Sequence, residues 1–150
     1  MTMKVKIDGI SEVVTQLKRR GANVGQALEV ILNAAAEPIQ GAATDNARGI
    51  SQRTADAMTK ETVMRRNGRV EVHIGPVRKR AWYAHIIEFG ATSHTIRPRK
   101  AKALRFITGA IRRIARHPGS PARPFMRPAF DNRHAEAKAI AAAEIRKRLR

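Results

Sequence analysis

Hydrophobic residues recur at helical spacing in two long stretches of the chain. Over residues 24–48 they follow a period of about 3.6 residues, and Pro38 inside this stretch predicts a kink or an interruption. Over residues 129–149 a second stripe leads into a last turn rich in Lys and Arg, which suits the negative end of a helix dipole. This stripe consists of Phe130, Ala137, Ile140, Ala141, Ile145 and Leu149. A shorter helix is predicted over residues 12–20.

Other stretches alternate between apolar and polar residues, which is typical of β-strands. Residues 4–8 predict a short first strand. Residues 59–66 and 69–74 flank Asn67-Gly68, a dipeptide that favours a type I′ turn, so a β-hairpin is predicted there. Its inward face is predicted to hold Val63, Val70, Val72 and Ile74.

The second half of the chain predicts shorter elements. Residues 94–97 and 103–107 are predicted as two strands around a basic loop, and residues 82–89 as a strand or a short helix. Residues 50–57 are predicted as a loop. Residues 109–116 are predicted either as another strand or as the start of an extended arm. Prolines at positions 118, 121, 124 and 128 predict an extended, partly polyproline connector over residues 117–128.

This order of elements predicts an α+β fold. The long helix of the N-terminal half and the C-terminal helix are expected to pack on an antiparallel β-sheet, with a basic loop and a proline-rich arm over about residues 109–128. A length of 150 residues fits one domain over residues 1–150. Because only 4% of residues are aromatic, the core is expected to be thin, and a neighbouring subunit is expected to cover some apolar faces.

Positive charge is concentrated in residues 76–130, which include the basic loop and the predicted arm. The formal net charge is +18, and residues 76–130 hold 13 Lys and Arg against one acidic residue, Glu88. A charged segment of this kind attracts acidic proteins or nucleic-acid phosphates. No aromatic residue is interleaved in the basic loop, so an acidic partner or simple solvation is favoured over DNA, and any DNA contact would be to the backbone. The basic residues concerned are Arg97, Arg99, Lys100, Lys102, Arg112 and Arg113.

Several classes of chemistry are disfavoured by what the chain lacks. The absence of cysteine excludes disulfides, thiolate zinc sites and thiol nucleophiles. No apolar run is long enough to span a membrane, and no apolar signal segment is present. His85, Glu88 and His94 form the one candidate zinc set, but their spacing is generic. No nucleophile elbow, Walker A or dinucleotide motif occurs, so we predict a protein that is not an enzyme and needs no cofactor.

Between residues 83 and 131 the chain carries a series of short motifs in a characteristic order. These motifs are Glu88-Phe89-Gly90, then His94, Ile96 and Pro98 in an H-x-I-x-P pattern, Lys102-Ala103-Leu104 with Phe106, His117-Pro118-Gly119, and finally the run from Arg123 to Phe130. In this order they resemble the tail-completion, or head–tail joining, proteins of long-tailed siphophages. One departure is Thr54-Ala55-Asp56-Ala57, which stands where the family often has a Thr-Gly-x-Leu turn.

The resemblance implies a structural virion protein that is assembled in the host cytoplasm. It implies a ring at the neck or upper tail, expected to be a homohexamer because siphophage tail tubes are sixfold, which contacts the tail tube protein and a head-side connector around the DNA channel. The predicted interface residues are Glu88, Phe89, His117, Pro118, Arg123, Pro124, Phe125, Met126, Arg127 and Phe130. The alternative function is a small basic protein that binds DNA without sequence specificity.

For two groups of these residues, structural roles compete with roles at an interface. Phe125, Met126 and Phe130 are expected either to anchor the C-terminal helix to its own domain, which is favoured, or to dock in a neighbour's groove. Glu88 is expected either in an internal salt bridge, again favoured, or in a pair between subunits.

Overall fold

The computed structural model describes residues 14–15, 18–19, 23–64, 70–99 and 101–149. Contacts group the chain into two compact units, which we call the larger unit (Met1–Ala84 and Phe125–Arg150) and the arm unit (His85–Pro124). The predicted first strand lies outside the described residues, and the four described residues of the predicted helix at 12–20 are helical. Organisation as a single domain stays a prediction, because a grouping of contacts does not measure independent folding.

The first long helix, α1 (Val24–Arg48), has the bounds that its hydrophobic spacing predicts. The side chain of Asn23 caps its start by accepting a hydrogen bond from the backbone N–H of Gln26. Pro38 does not interrupt the helix, which is continuous through that position. The buried face holds Leu28, Ile31, Ala35, Ala36, Ile39, Ala43 and Ala47.

The C-terminal helix, α4 (Met126–Leu149), begins three residues before its predicted start. Pro128 therefore lies in its first turn, where a missing N–H costs nothing because those groups have no partner within the helix. The chain entering α4 is fixed by Asn46 of α1, whose side-chain Nδ2 donates to the carbonyl of Phe125 at 3.1 Å.

Small side chains form the seam between α1 and α4, which is the most extensive contact between elements among the described residues. Of the 17 buried hydrophobic residues in the described parts of the chain, 11 are alanine. Alanine lets two helix backbones approach closely, so the thin core predicted from composition takes the form of a tight helix pair. On α4 the buried residues are Met126, Ala129, Ala137 and Ala141, whereas Phe130, Ile140 and Ile145 of the predicted stripe are half-buried.

The predicted hairpin is present as strands β1 (Met58–Met64) and β2 (Val70–Pro76), which pair antiparallel and contact α1. The turn at Asn67-Gly68 lies outside the described residues. Met64 pairs with Val70, a register that differs by one residue from the one a two-residue Asn67-Gly68 turn would give.

The register corrects one prediction about the hairpin's faces. Val63 lies opposite Glu71 and not opposite Val72, so the prediction that it shares the inward face of the β2 valines is wrong. On the face with Val72 and Ile74, Thr62 instead donates to the side chain of Asn33, and Lys60 pairs with Glu37 of α1.

Two short helices complete the first part of the fold. The first, α2 (Gln52–Asp56), replaces the loop predicted over residues 50–57, since the side chain of Ser51 caps it and Thr54 and Ala55 are buried. The second, α3 (Ala84–Phe89), selects the helical alternative for residues 82–89.

Four short strands follow α3: β3 (His94–Ile96), β4 (Leu104–Arg105), β5 (Ile111–Arg112) and β6 (Ala115–His117). They pair as β3 with β6 and β4 with β5, separately from β1 and β2. The α+β class and its two main helices are thus confirmed, but within the described residues the strands form three two-stranded ribbons and not one sheet.

Candidate partner-binding surface

Residues 91–120 form one long, two-stranded antiparallel hairpin, which we call the hairpin arm. Its pairing begins with a bridge between Ala91 and Ser120, continues through β3 with β6, and ends with β4 against β5. At the tip, Phe106 donates its backbone N–H to Ala110, and Gly109 adopts a φ of +82° that closes the turn. Strands β5 and β6 agree with the strand alternative for residues 109–116, and positions 111–117 contain no proline.

Two glycines allow the two backbone segments at the base of the hairpin arm to approach each other closely. Gly90 has a φ of +73°, and a Cβ added to it would lie 2.7 Å from the carbonyl oxygen of Ser120. Gly119 has a φ of +91°, and its added Cβ would lie 2.4 Å from the carbonyl oxygen of Ala91. Only glycine fits both positions without displacing backbone. The motifs Glu88-Phe89-Gly90 and His117-Pro118-Gly119 therefore each end in a glycine that permits this close approach.

The base is also fixed by two stacked histidines. His94 and His117 pair across β3 and β6, with ring centroids 5.0 Å apart and planes inclined by 21°. Nδ1 of His117 accepts from the backbone N–H of Gly119 at 3.1 Å, and Nδ1 of His94 lies 3.0 Å from the carbonyl oxygen of Thr92. His117 therefore holds the return strand in its turn, which is a structural role beside the predicted role at an interface.

The basic loop lies between β3 and β4, opposite only two residues, 113–114, of the return strand. Lys100 is outside the described residues. The other basic residues predicted for this surface, Arg97, Arg99, Lys102, Arg112 and Arg113, are all exposed. Since the arm unit has nine Lys and Arg and its one acidic residue, Glu88, is 3% exposed, the surface of this unit is strongly cationic.

Large apolar side chains also lie in solvent along the hairpin arm. Ile107 at the tip is fully exposed, and exposure is 68% for Ile111, 52% for Ile114 and 41% for Phe106. The sequence prediction missed them as contact residues, since it assigned residues 103–107 to a strand of a packed sheet. The available signal was two adjacent large apolar residues beside a glycine turn in a segment without acidic residues.

The remaining predicted interface residues divide by burial. Phe89 is 67% exposed, and Pro118, Arg123, Pro124 and Arg127 are also exposed. In the larger unit, Phe125 is 1% exposed and Met126 is fully buried, which agrees with the favoured interpretation that they anchor the C-terminal helix. Phe130 is half-buried, and its ring stacks on that of His134.

Among the described residues we found neither a group suited to a metal ion nor a helix suited to span a membrane. In these parts of the chain, no three His, Asp or Glu side chains, including the set of His85, Glu88 and His94, are grouped so as to hold a metal ion. None of the helices that the structure describes has the length and apolarity needed to cross a membrane.

A cationic arm with large apolar side chains in solvent defines a class of protein that acts by binding other macromolecules. Residues 11–90 match the family described as "Bacteriophage HK97-gp10, putative tail-component", and because this is more than half of the chain, the protein belongs to that family. It is therefore a structural component of the bacteriophage tail, and so a part of the virion. No curated protein and no solved structure shows significant similarity to it.

The family match confirms the resemblance to phage tail proteins, but it rests on a different part of the chain. It ends at Gly90, so it contains Glu88-Phe89-Gly90 and excludes every later motif. The matched part covers α1, the β1–β2 hairpin and α3, and the hairpin arm lies beyond it.

Proposed function

We propose that this tail component forms a ring at the phage neck or at the top of the tail. The ring completes the tail tube, joins it to a head-side connector protein and surrounds the path of the DNA. The observation that carries this proposal is the hairpin arm. It exposes four large apolar side chains, Phe106, Ile107, Ile111 and Ile114, which a subunit acting alone would leave in solvent. Buried in a contact with another virion protein, such side chains supply the apolar centre of an interface.

A ring follows from the kind of contact that an arm makes. If the arm of each copy binds a different surface of the next copy in one direction, the contact is heterologous and either closes into a ring or continues as a filament. The sixfold tail tubes of long-tailed phages favour closure as a homohexamer. In the arm unit, the proposed contact residues at the base of the arm are the exposed Phe89, His117, Pro118, Arg123 and Pro124. In the larger unit, the exposed Arg127 and the half-buried Phe130 at the start of α4 are proposed contact residues as well.

The basic loop is proposed to face an acidic partner surface or the DNA backbone. Its arginines and Lys102 lie beside the apolar residues of the same arm, so one partner can bury the apolar side chains and neutralise the cations. Glu88, Phe125 and Met126 are buried, and we propose that they act on the interface through the positions of α3 and α4.

The proposal is tested by placing acidic residues at the arm tip. Ile107→Asp combined with Ile111→Asp changes two exposed side chains, so the subunit should fold with normal thermal stability. When this variant replaces the wild-type protein in infected cells, the yield of joined head–tail particles should fall by more than about tenfold. The matched control is Val30→Asp, which changes a 49% exposed residue on α1 and should leave the yield unchanged. A normal yield from the arm variant, or from cells that lack the protein, contradicts the proposal.

A further inference from the structure

A second cationic surface lies in the larger unit, between β2 and α3. Arg78, Lys79 and Arg80 are consecutive and exposed, and Trp82, two residues further on, is 62% exposed. The turn that carries them is held by hydrogen bonds from the backbone N–H groups of Arg80 and Ala81 to the carbonyl of Val77, at 2.9 and 3.0 Å. The three cations and the indole are therefore presented by ordered backbone.

Contacts with α2 extend this surface and fix its shape. Nε of Arg53 donates to the carbonyl of Arg80 at 3.0 Å, which places a fourth cation against the turn. The Trp82 ring meets the Tyr83 ring edge-on at 5.8 Å, and the Tyr83 hydroxyl lies 3.5 Å from that of Ser51. The Ser51 hydroxyl, with a smaller effect from the Arg53 charge, lowers the pKa of Tyr83 below its ordinary value. Asp56, the one carboxylate on α2, accepts a hydrogen bond from Gln52.

We propose that Arg53, Arg78, Lys79, Arg80 and Trp82 form a binding site for single-stranded nucleic acid. Cations along a turn contact successive phosphates, and an exposed indole beside them stacks on an unpaired base. The carboxylates of an acidic protein would pair with the cations, but they offer no ring for the indole to stack on. In a duplex the faces of the internal bases are covered by their neighbours, so the indole cannot stack on them. This inference goes beyond the proposed ring, and it holds for the purified subunit whatever the ring's position.

Trp82 is the only tryptophan of the chain, so its fluorescence reports on this site alone. Titration of the full chain with a 12-nucleotide oligothymidine should quench that fluorescence. The affinity should fall with salt at a logarithmic slope of about −2 to −3, as expected for three or four neutralised phosphates. A blunt duplex of equal length should bind more weakly and leave the fluorescence unchanged.

Substitutions separate this site from the hairpin arm. With a labelled oligonucleotide followed by anisotropy, Trp82→Leu should weaken binding roughly 5- to 100-fold, and Trp82→Phe should retain part of the affinity. Changing Arg78, Lys79 and Arg80 to Gln should abolish the quench. The matched control changes three exposed cations of α4, Lys138, Arg146 and Lys147, to Gln and should preserve it.

Three results would overturn the site: quenching by polyglutamate as strong as that by the oligonucleotide, duplex binding as tight as single-strand binding, or a quench that is lost when Arg97, Arg99 and Lys102 are changed to Gln but kept when Arg78, Lys79 and Arg80 are changed. Each leaves the ring proposal standing, because that proposal is tested by particle assembly and not by nucleic-acid binding.

Discussion

Single residues determine how the hairpin arm leaves and rejoins the chain. Gly90 and Gly119 both lie in the left-handed region, and each faces backbone of the opposite strand. Gly109 at the tip has a similar φ but has no atom within 4 Å of an added Cβ. Replacing Gly109 by alanine therefore destabilises through backbone strain alone, whereas at Gly90 and Gly119 a steric clash adds to that strain.

Alanine substitutions at three glycines should give graded results. Gly119→Ala should cost more than about 2 kcal/mol, because strain and clash add, and Gly109→Ala about 1–2 kcal/mol from strain alone. Gly41→Ala is the control: Gly41 lies in α1 with open space around it, so alanine should stabilise by about 0.5–1 kcal/mol. Urea denaturation measures all three, and limited proteolysis shows whether cleavage rises within residues 91–120. Equal effects at Gly109 and Gly119 would contradict the clash at the arm base.

Two phenylalanines of the predicted interface should differ in their effect on folding. Phe125→Ala removes a side chain that is 1% exposed and should lower the free energy of unfolding by about 3–5 kcal/mol. Phe89→Ala removes one that is 67% exposed and should change it by less than about 0.5 kcal/mol. Thermal or chemical denaturation of the purified subunit decides. A small effect of Phe125→Ala would mean that this residue is not part of the core.

At the scale of elements, the two long helices depend on alanine. Ala43 of α1 and Ala137 and Ala141 of α4 are buried to within 2% of full burial, while larger residues of the predicted stripe are only half-buried. Small buried side chains on both helices allow their backbones to approach closely, which stabilises the pair through many small contacts.

Enlarging the seam should destabilise the fold. Ala141→Leu adds three carbons at a position that is 1% exposed, and overpacking should cost about 1–3 kcal/mol. Ala139→Leu makes the same change on an exposed face of α4 and should be nearly neutral. Comparison of the two denaturation midpoints isolates the seam. Equal midpoints would contradict the close approach of α1 and α4.

Elements with local signals could be predicted from the sequence, and those with distant partners could not. The bounds of α1 follow from its period together with the cap at Asn23. The inward face of the hairpin was mispredicted at Val63, because a shift of one residue in register exchanges the two faces of a strand. After Gly90, strands were predicted at residues 94–97 and 103–107 and as one alternative at residues 109–116. Their pairing into a separate arm depends on backbone hydrogen bonds between positions such as Ala91 and Ser120, which periodicity does not reveal.

The candidate site was predicted in part for the same reason. The basic loop is a property of composition and could be located before the structure was known. The exposure of Ile107 and Ile111, and the burial of Phe125, depend on which surfaces the fold covers, so they required coordinates. The sequence prediction of nucleic-acid contact considered only the basic loop, and Trp82 lies outside it, two residues after Arg80.

At the scale of the whole molecule, the chain combines a larger unit with a small alanine-rich core and an arm unit with most of the exposed large apolar side chains and a strongly cationic surface. The family match covers the part that holds α1 and the β1–β2 hairpin, and the proposed contacts lie largely beyond it. This division is what we expect of a subunit whose larger unit provides a shared tail-component fold and whose arm selects its partners.

The most direct measurement is an image reconstruction of the assembled phage particle in which density for this subunit is located along the tail axis. We expect a closed ring between the tail tube and the head-side connector, in which Phe106, Ile107 and Ile111 are buried against a neighbouring protein. A ring position elsewhere in the virion, arms that project into solvent, or complete infectious particles without this subunit would contradict the account.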